Sequence, residues 1–142
     1  MREYLSWIDK TKNLSDSEKF IAKVFNGYKK GTSCDFGIYY QGVMVGSGGF
    51  HTIDQKNKSA EIGYWIAKDF EGRGIISKVV GKMVEIGKTK YKLHRIVIKA
   101  DTENKRSLAI PNKLKFKYEG TMRDCDFKKG KFRSIEVWSL LV

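Results

Sequence analysis

The chain has 142 residues, of which 41% are hydrophobic and 13% aromatic, and it carries a formal net charge of +12. This composition excludes an intrinsically disordered chain and predicts one hydrophobic core, and therefore a single domain over residues 1–142. No apolar run approaches the ~20 residues that a membrane span requires, and no secretory signal pattern follows Met1. We therefore expect a soluble, cytoplasmic protein that does not bind membranes.

The positive charge favours anionic partners, among them nucleic acid, a polyphosphate cofactor or an assembly such as the ribosome. The lysines are spread along the whole chain, so a lysine-rich solvated surface explains the charge at least as well. Cys34 and Cys125 form no CxxC pattern, and His51 and His94 are isolated in the sequence. These spacings predict two reduced thiols and no metal site.

Periodicity and turn residues predict alternating blocks of helix and strand. Ser15 and Glu18 fit a capping box at the start of the first helix, and Gly31 is placed to end that helix. Gln41-Gly42 fits a tight hairpin turn, and Pro111 is expected to interrupt the last helix. In chain order we predict a helix over 16–30, strands over 34–40, 43–50 and 59–66, a helix over 75–90, a strand over 94–100, a helix over 104–115, and strands over 116–123 and 133–141 joined by a basic turn at 128–131.

This order of elements predicts an α+β domain. Its central sheet is expected to be mixed and mostly antiparallel, flanked by helices, with one β-α-β crossover in the middle. At such a crossover the carboxyl end of a strand meets the amino end of a helix, which is where a ligand is expected.

The turn that opens the crossover helix carries the clearest chemical signal. Gly72 and Gly74 allow positive φ angles and a close approach of a ligand to the backbone. The unpaired N–H groups of the first helical turn, from Ile75 to Ser77, can bind a pyrophosphate, and Arg73 can add a charge-assisted contact. The same pattern also fits an ordinary helix start without a ligand. It is neither a Walker loop nor a complete dinucleotide-binding fingerprint.

The sequence from Glu71 to Ser77, EGRGIIS, resembles the pyrophosphate-binding motif of the GNAT superfamily of acetyltransferases. The segments AEIGYWI at 60–66, Asn104-x-x-Ser107, YEGTMRD at 118–124 and WSLL at 138–141 are similar to the RimJ/RimL branch, which contains ribosomal-protein N-terminal acetyltransferases. The similarity covers nearly the whole chain from Tyr4 onwards. It implies a GNAT fold that binds acetyl-CoA. The positions that it assigns to coenzyme A are Tyr64, Trp65, Ile66, Glu71, Gly72, Arg73, Gly74, Ile75, Ile76, Ser77, Asn104 and Ser107.

Four features depart from the family pattern. Glu71 stands where the family usually has Gln or Arg, and its charge is expected to weaken cofactor binding unless the side chain points away. Ile76 replaces a small residue, as in the ribosomal-protein serine acetyltransferases. Lys115 replaces a glycine and must end a helix without the freedom of glycine at positive φ. Family members usually begin with another strand and helix ahead of the segment at 2–7, and this sequence starts at about that segment; we expect either a short version of the family or a start that lies upstream.

The resemblance also assigns two catalytic positions. Asp126 matches the carboxylate that acts as the base in the ribosomal branch, and Ser107 matches the serine near the departing thiolate. An ordinary Asp is a poor base at neutral pH unless burial or a neighbouring carboxylate such as Asp124 raises its pKa. A solvated loop acid and an ordinary helical hydroxyl remain open for the two positions. A covalent route through Cys34 or Cys125 is less favoured.

The sequence therefore predicts an N-acetyltransferase that moves an acetyl group directly from acetyl-CoA to a primary amine. A protein N-terminus is the favoured acceptor, with association with the ribosome and a homodimer as possible partnerships. Two alternatives remain open. One is acetylation of a small amine, and the other is a domain that binds coenzyme A or nucleic acid without turnover.

Overall fold

The computed structural model describes residues 13–142, and the similarity noted at residues 2–7 lies outside this range. None of the helices within 13–142 is both long and apolar enough to cross a bilayer. A single 3₁₀ turn, Lys68–Phe70, lies between Ile66 and Ile75 in the described range. The elements are α1 (Leu14–Lys30), β1 (Cys34–Tyr40), β2 (Val43–Asp54), β3 (Ser59–Ile66), α2 (Ile75–Thr89), β4 (Arg95–Asp101), α3 (Lys105–Lys113), β5 (Lys117–Lys128) and β6 (Lys131–Leu141).

The first helix begins two residues before the predicted start. Asn13 accepts a hydrogen bond from the backbone of Asp16 at 3.0 Å, and the Asp16 carboxylate accepts from the backbone of Asn13 at 3.3 Å. This reciprocal pair is a capping box, so the prediction of Ser15 as the cap was wrong. Gly31, at φ 67°, ends the helix as predicted.

The six strands of residues 13–142 form one mixed sheet in the order β1-β2-β3-β4-β6-β5. Only β3 and β4 are parallel among the described strands, and α2 connects them. This arrangement confirms the predicted α+β class, the mostly antiparallel sheet and the central crossover. The two-residue turn at Gln41-Gly42 joins β1 to β2, and a similar turn in the predicted basic segment joins β5 to β6.

The core lies between α2 and one face of the sheet. On α2, Ile76, Val80 and Met83 are spaced so that one stripe of the helix faces the strands. Full burial of a side chain of this size contributes about 2 kcal/mol. The packing therefore fixes the amino end of α2 beside the end of β3. The strand residues that form the other half of this core include Val45, Phe50, Ile62, Ile96 and Ile98.

Two predictions about the second half of the chain were wrong. Pro111 does not interrupt α3, because the helix runs from Lys105 to Lys113 with Pro111 inside it. The last two strands are longer than expected, since β5 continues to Lys128 through a bulge at which Asp124 adopts a φ of 47°. Lys115 follows α3 at φ 60° and adopts the left-handed conformation usually taken by glycine, as the sequence required.

Candidate functional site

The strands β3 and β4 diverge and open a cavity in the middle of the sheet. They pair only from Ser59 to Ile62 and from Arg95 to Ile98. Beyond Ile62, β3 continues to Ile66 while pairing with β2 alone among the described strands. The backbone edge of β3 that faces β4 is therefore open over residues 63–66. A cavity of about 1410 Å³ lies at this split.

The amino end of α2 lines the cavity and is built to receive an anion. Gly72 and Gly74 have φ angles of 75° and 73°, a conformation that most other residues adopt only with strain. Within residues 13–142 no side chain caps the helix, and its first turn contains no acidic residue. A Cβ atom added at either glycine would meet no atom of the described residues within 4 Å, so these residues leave the space above the turn open. Uncapped N–H groups and the positive end of the helix dipole suit a diphosphate.

Arg73 and Glu71, the two charged residues of this turn, make contacts that the sequence did not predict. Arg73 does not line the cavity; its guanidinium donates to the backbone oxygen of Asp69 at 3.0 Å and lies over the ring of Phe70. Glu71 lines the cavity and forms an ion pair with Arg106 of α3. The negative charge that separates this chain from the family motif is therefore balanced by a cation 35 positions later in the sequence.

The start of α3 lines the opposite side of the same cavity. Asn104 caps the helix by accepting from the backbone N–H of Ser107 at 3.2 Å. The hydroxyl of Tyr64 on β3 donates to the backbone oxygen of Ser107 at 3.1 Å. Burial raises the pKa of Tyr64. The structure thus brings Asn104 and Ser107 into the lining of the same cavity as β3 and the turn before α2.

Asp126 also lines the cavity, but from a strand rather than from a loop. It lies on β5 opposite Arg133, and its carboxylate accepts from the side chain of Lys128 at 2.6 Å. Asp124 is not beside it in the cavity lining, because its backbone N–H and its carboxylate meet the hydroxyl of Ser134. The neighbouring carboxylate that the sequence suggested as a partner for Asp126 is therefore engaged elsewhere.

The two cysteines lie in different environments. Cys125 is exposed and lines the cavity beside Asp126, whereas Cys34 is buried in the core. A thiol in the cavity is thus present, but no histidine is paired with it among the described contacts. His51 lines the same cavity, and its imidazole lies 3.6 Å from the carboxylate of Asp35.

The charges of the cavity are balanced although the chain as a whole is strongly basic. Its lining contains five carboxylates and five Lys or Arg side chains, and within residues 13–142 each of these carboxylates has a cationic partner. Sequence reasoning missed most of these pairs because their members are far apart in the chain. The pairs are Glu61 with Lys99, Glu71 with Arg106, Asp101 and Glu103 with Arg133, and Asp126 with Lys128.

Curated proteins similar to this chain are bacterial acetyltransferases. The provisionally named ribosomal N-acetyltransferase YdaF of Bacillus subtilis is 39% identical over 105 residues, which cover 74% of this chain and 57% of YdaF. The ribosomal-protein-serine acetyltransferase of Escherichia coli is 24% identical over 142 residues, covering 100% of this chain and 79% of that protein. The alignments thus span little more than half of YdaF and of protein p20 of Bacillus licheniformis, of which 55% is covered.

Solved structures similar to this chain are also acetyltransferases. RimL, an acetyltransferase of ribosomal L7/L12 solved in complex with coenzyme A, matches with a TM-score of 0.93 and 25% identity over 99% of this chain and 80% of that one. The microcin C7 self-immunity acetyltransferase MccE, solved with acetyl-CoA and AMP, matches with a TM-score of 0.91 and 28% identity over 98% and 77%. The family model described as "Acetyltransferase (GNAT) domain" matches residues 1–117. The chain therefore belongs to the GNAT acetyltransferase family.

Proposed function

We propose that this domain binds acetyl-CoA and transfers its acetyl group directly to a primary amine. The observation that carries the proposal is the uncapped amino end of α2, which faces the cavity at the split between β3 and β4. Membership of the GNAT family supports the choice of cofactor, as do the coenzyme A bound in RimL and the acetyl-CoA bound in MccE.

Three parts of the chain would hold the cofactor. The backbone N–H groups from Ile75 to Ser77 hold the diphosphate, and Ile76 anchors this turn because its side chain is buried in the core. The open edge of β3 over Tyr64, Trp65 and Ile66 offers backbone groups to the amide-containing arm. Asn104 lies on the far side of the cavity and completes this cradle.

Acetyl-CoA supplies an acetyl group that is activated as a thioester. Transfer to an amine moves one proton away from the nitrogen and brings one to the sulfur. The C–N bond would form as the C–S bond breaks. We propose that Asp126 accepts the amine proton through a water, because Asp is shorter than Glu, and that the hydroxyl of Ser107 donates a proton to the departing sulfur and regains one from solvent. Backbone N–H groups of β3 polarise the acetyl carbonyl while the new bond forms.

The favoured acceptor is the N-terminal amine of a protein. A polycationic small molecule would need unpaired acidic groups in the cavity, but the carboxylates that line it are paired with Lys or Arg. The ribosomal-protein-serine acetyltransferase of Escherichia coli aligns with the entire chain, whereas the spermidine N(1)-acetyltransferase of the same species aligns with 58% of it. An acceptor on the ribosome would place this protein in the cytoplasm.

The proposal is tested by calorimetry and by thiol release on the same protein. Acetyl-CoA is titrated first, and thiol release is then measured with peptides that carry a free N-terminal serine, with the same peptides blocked at the N-terminus, with a lysine peptide and with spermidine. We expect binding and release with the free N-terminal peptide alone. Release with spermidine alone would reassign the acceptor, and binding without release on any acceptor would favour a non-catalytic domain. No binding, together with salt-dependent RNA binding, would contradict the proposal.

A further inference from the structure

The α3 helix contains a proline at a position where an ordinary helix needs an N–H group. Residue 111 would normally donate to the carbonyl of residue 107, four positions earlier. Pro111 has no N–H, so the helix itself leaves the carbonyl of Ser107 without this donor. Pro111 is fully buried, which means that water does not simply replace the missing group at that position.

The missing donor is replaced by a side chain from another part of the fold. The hydroxyl of Tyr64 donates to the Ser107 carbonyl at 3.1 Å in a partly buried setting. A carbonyl left unpaired in such a setting is costly, so this hydrogen bond is favoured over an open contact. Tyr64 lies on the part of β3 that has separated from β4, and Ser107 lies in the first turn of α3. The bond thus joins the two walls of the cavity.

We propose that Tyr64 is a positioning residue for the first turn of α3. Pro111 makes this possible because it lacks an N–H group and so leaves the Ser107 carbonyl available to the Tyr64 hydroxyl. The turn held in this way carries the Asn104 cap and the Ser107 hydroxyl, both of which line the cavity. This inference rests on the proposed function only where it gives Ser107 a role in turnover. The contact itself belongs to the protein without any ligand.

A direct role for Tyr64 as the proton donor to the thiolate makes a different prediction. In the structure the hydroxyl proton of Tyr64 is directed at the Ser107 carbonyl. Pro111→Ala supplies a backbone N–H that competes for this carbonyl and leaves the Tyr64 hydroxyl in place. A proton donor would retain its activity in that variant, whereas a positioning residue would lose its hold on α3.

The first measurement uses hydrogen exchange of the α3 amides in the protein without cofactor. Tyr64→Phe, Pro111→Ala and the double variant are compared with Tyr118→Phe, which removes an exposed hydroxyl that contacts Thr121 at 2.7 Å outside the cavity. We expect Tyr64→Phe to speed exchange about tenfold when residue 111 is proline and less than about twofold when it is alanine. Tyr118→Phe should exchange as the parent protein does. Equal acceleration in both backgrounds, or none, would overturn the proposal.

The second measurement separates kcat from KM. Tyr64→Phe and Pro111→Ala should each lower kcat about tenfold, with KM for acetyl-CoA changed less than about threefold, and the double variant should be no worse than the poorer single variant. Wild-type kcat in both single variants would contradict the positioning role. If Tyr64→Phe fails to fold, the kcat of Pro111→Ala alone tests the positioning role. A parent protein without turnover would contradict the proposed function, and the exchange data would still decide whether Tyr64 holds α3.

Discussion

The carboxylate of Glu71 forms an ion pair with the guanidinium of Arg106, and this pair joins the turn before α2 to the first turn of α3. Both residues line the cavity, so the pair places a cation beside the proposed diphosphate position. The family motif has Gln or Arg at position 71. The pair therefore offsets a charge that would otherwise oppose an anionic ligand.

This ion pair leads to opposite expectations for its two members. Glu71→Gln releases Arg106 to pair with the diphosphate, so Kd for acetyl-CoA should fall about threefold at low salt. Arg106→Gln leaves the carboxylate unpaired and should raise Kd about tenfold. Calorimetry at two salt concentrations checks both variants, and the differences should shrink at high salt because ions screen exposed charges. Tighter binding by Arg106→Gln would refute this account.

Gly74 and Gly130 form a matched pair for the role of the turn before α2. They have φ angles of 73° and 75°, and a Cβ at either position would meet no described atom within 4 Å, but of the two only Gly74 lines the cavity. Each change to Ala should lower the free energy of unfolding by about 1 kcal/mol, because both positions are left-handed. Only Gly74→Ala should weaken acetyl-CoA binding. Equal affinities of the two variants would count against the turn.

Asp126 and Asp124 are two nearby carboxylates, of which only Asp126 lines the cavity. Asp126→Asn should lower kcat by about 10²-fold or more, because an amide cannot accept the proton of the amine. Kd for acetyl-CoA should remain unchanged. Asp124→Asn is the control, since Asn tolerates the φ of 47° at this position and the residue does not line the cavity. Turnover by Asp126→Asn at the wild-type rate would require another base.

Direct transfer and a covalent route are distinguished by Ser107 and Cys125, which both line the cavity. Ser107→Ala should lower kcat about 10²-fold because the thiolate loses its proton donor. Cys125→Ala should leave kcat unchanged, because direct transfer forms no acyl-cysteine. Steady-state thiol release measures both. Complete loss of turnover in a folded Cys125→Ala variant would establish the covalent route instead.

Because the pKa of Glu119 is lowered in the folded protein, we expect its stabilising contribution to be lost in acid. Hydrogen bonds from Arg95 and Ser139 lower its pKa from 4.5 to about 2, and they link β5 to both β4 and β6. Because the folded pKa lies below the unfolded one, this stabilisation is complete above the unfolded value and disappears as the pH falls towards 2. The stability difference between the parent and Glu119→Gln should therefore be largest near pH 6 and shrink below pH 4.5.

Chemical denaturation from pH 6 to pH 3 measures this difference. Glu85→Gln serves as the control, because it removes an exposed ion pair with Lys82 on α2. We expect only a small effect from the control at every pH. A difference for Glu119→Gln that does not depend on pH would contradict the role given to its carboxylate.

Local patterns determined the parts of the fold that could be read from the sequence. The strand at Ser59–Ile66 and the start of α2 at Ile75 lie where periodicity placed them, because a buried apolar face marks each one. The cap of the first helix was predicted at the wrong residue because the same i, i+3 spacing occurs twice, as Asn13 with Asp16 and as Ser15 with Glu18, and it is Asn13, two residues earlier, that forms the capping box. Local chemistry alone does not choose between two such caps.

The site was harder to predict where its contacts join distant parts of the chain. The partner of Glu71 on α3 and the donor to the Ser107 carbonyl on β3 depend on how the sheet opens, which no local spacing encodes. The sequence predicts that Pro111 interrupts the helix, because local spacing does not show the compensating contact. That contact is the hydroxyl of Tyr64, 47 positions before Pro111, which donates to the Ser107 carbonyl that Pro111 leaves without a donor. The glycine turn was found because its signal is local.

The central claim is that main-chain N–H groups at the start of α2 hold the diphosphate of acetyl-CoA. A crystal structure of the protein saturated with acetyl-CoA tests it most directly. We predict diphosphate oxygens within hydrogen-bond distance of the N–H groups of residues 75–77, with the thioester between β3 and Ser107. A cofactor bound elsewhere, with this turn unoccupied, would contradict the account.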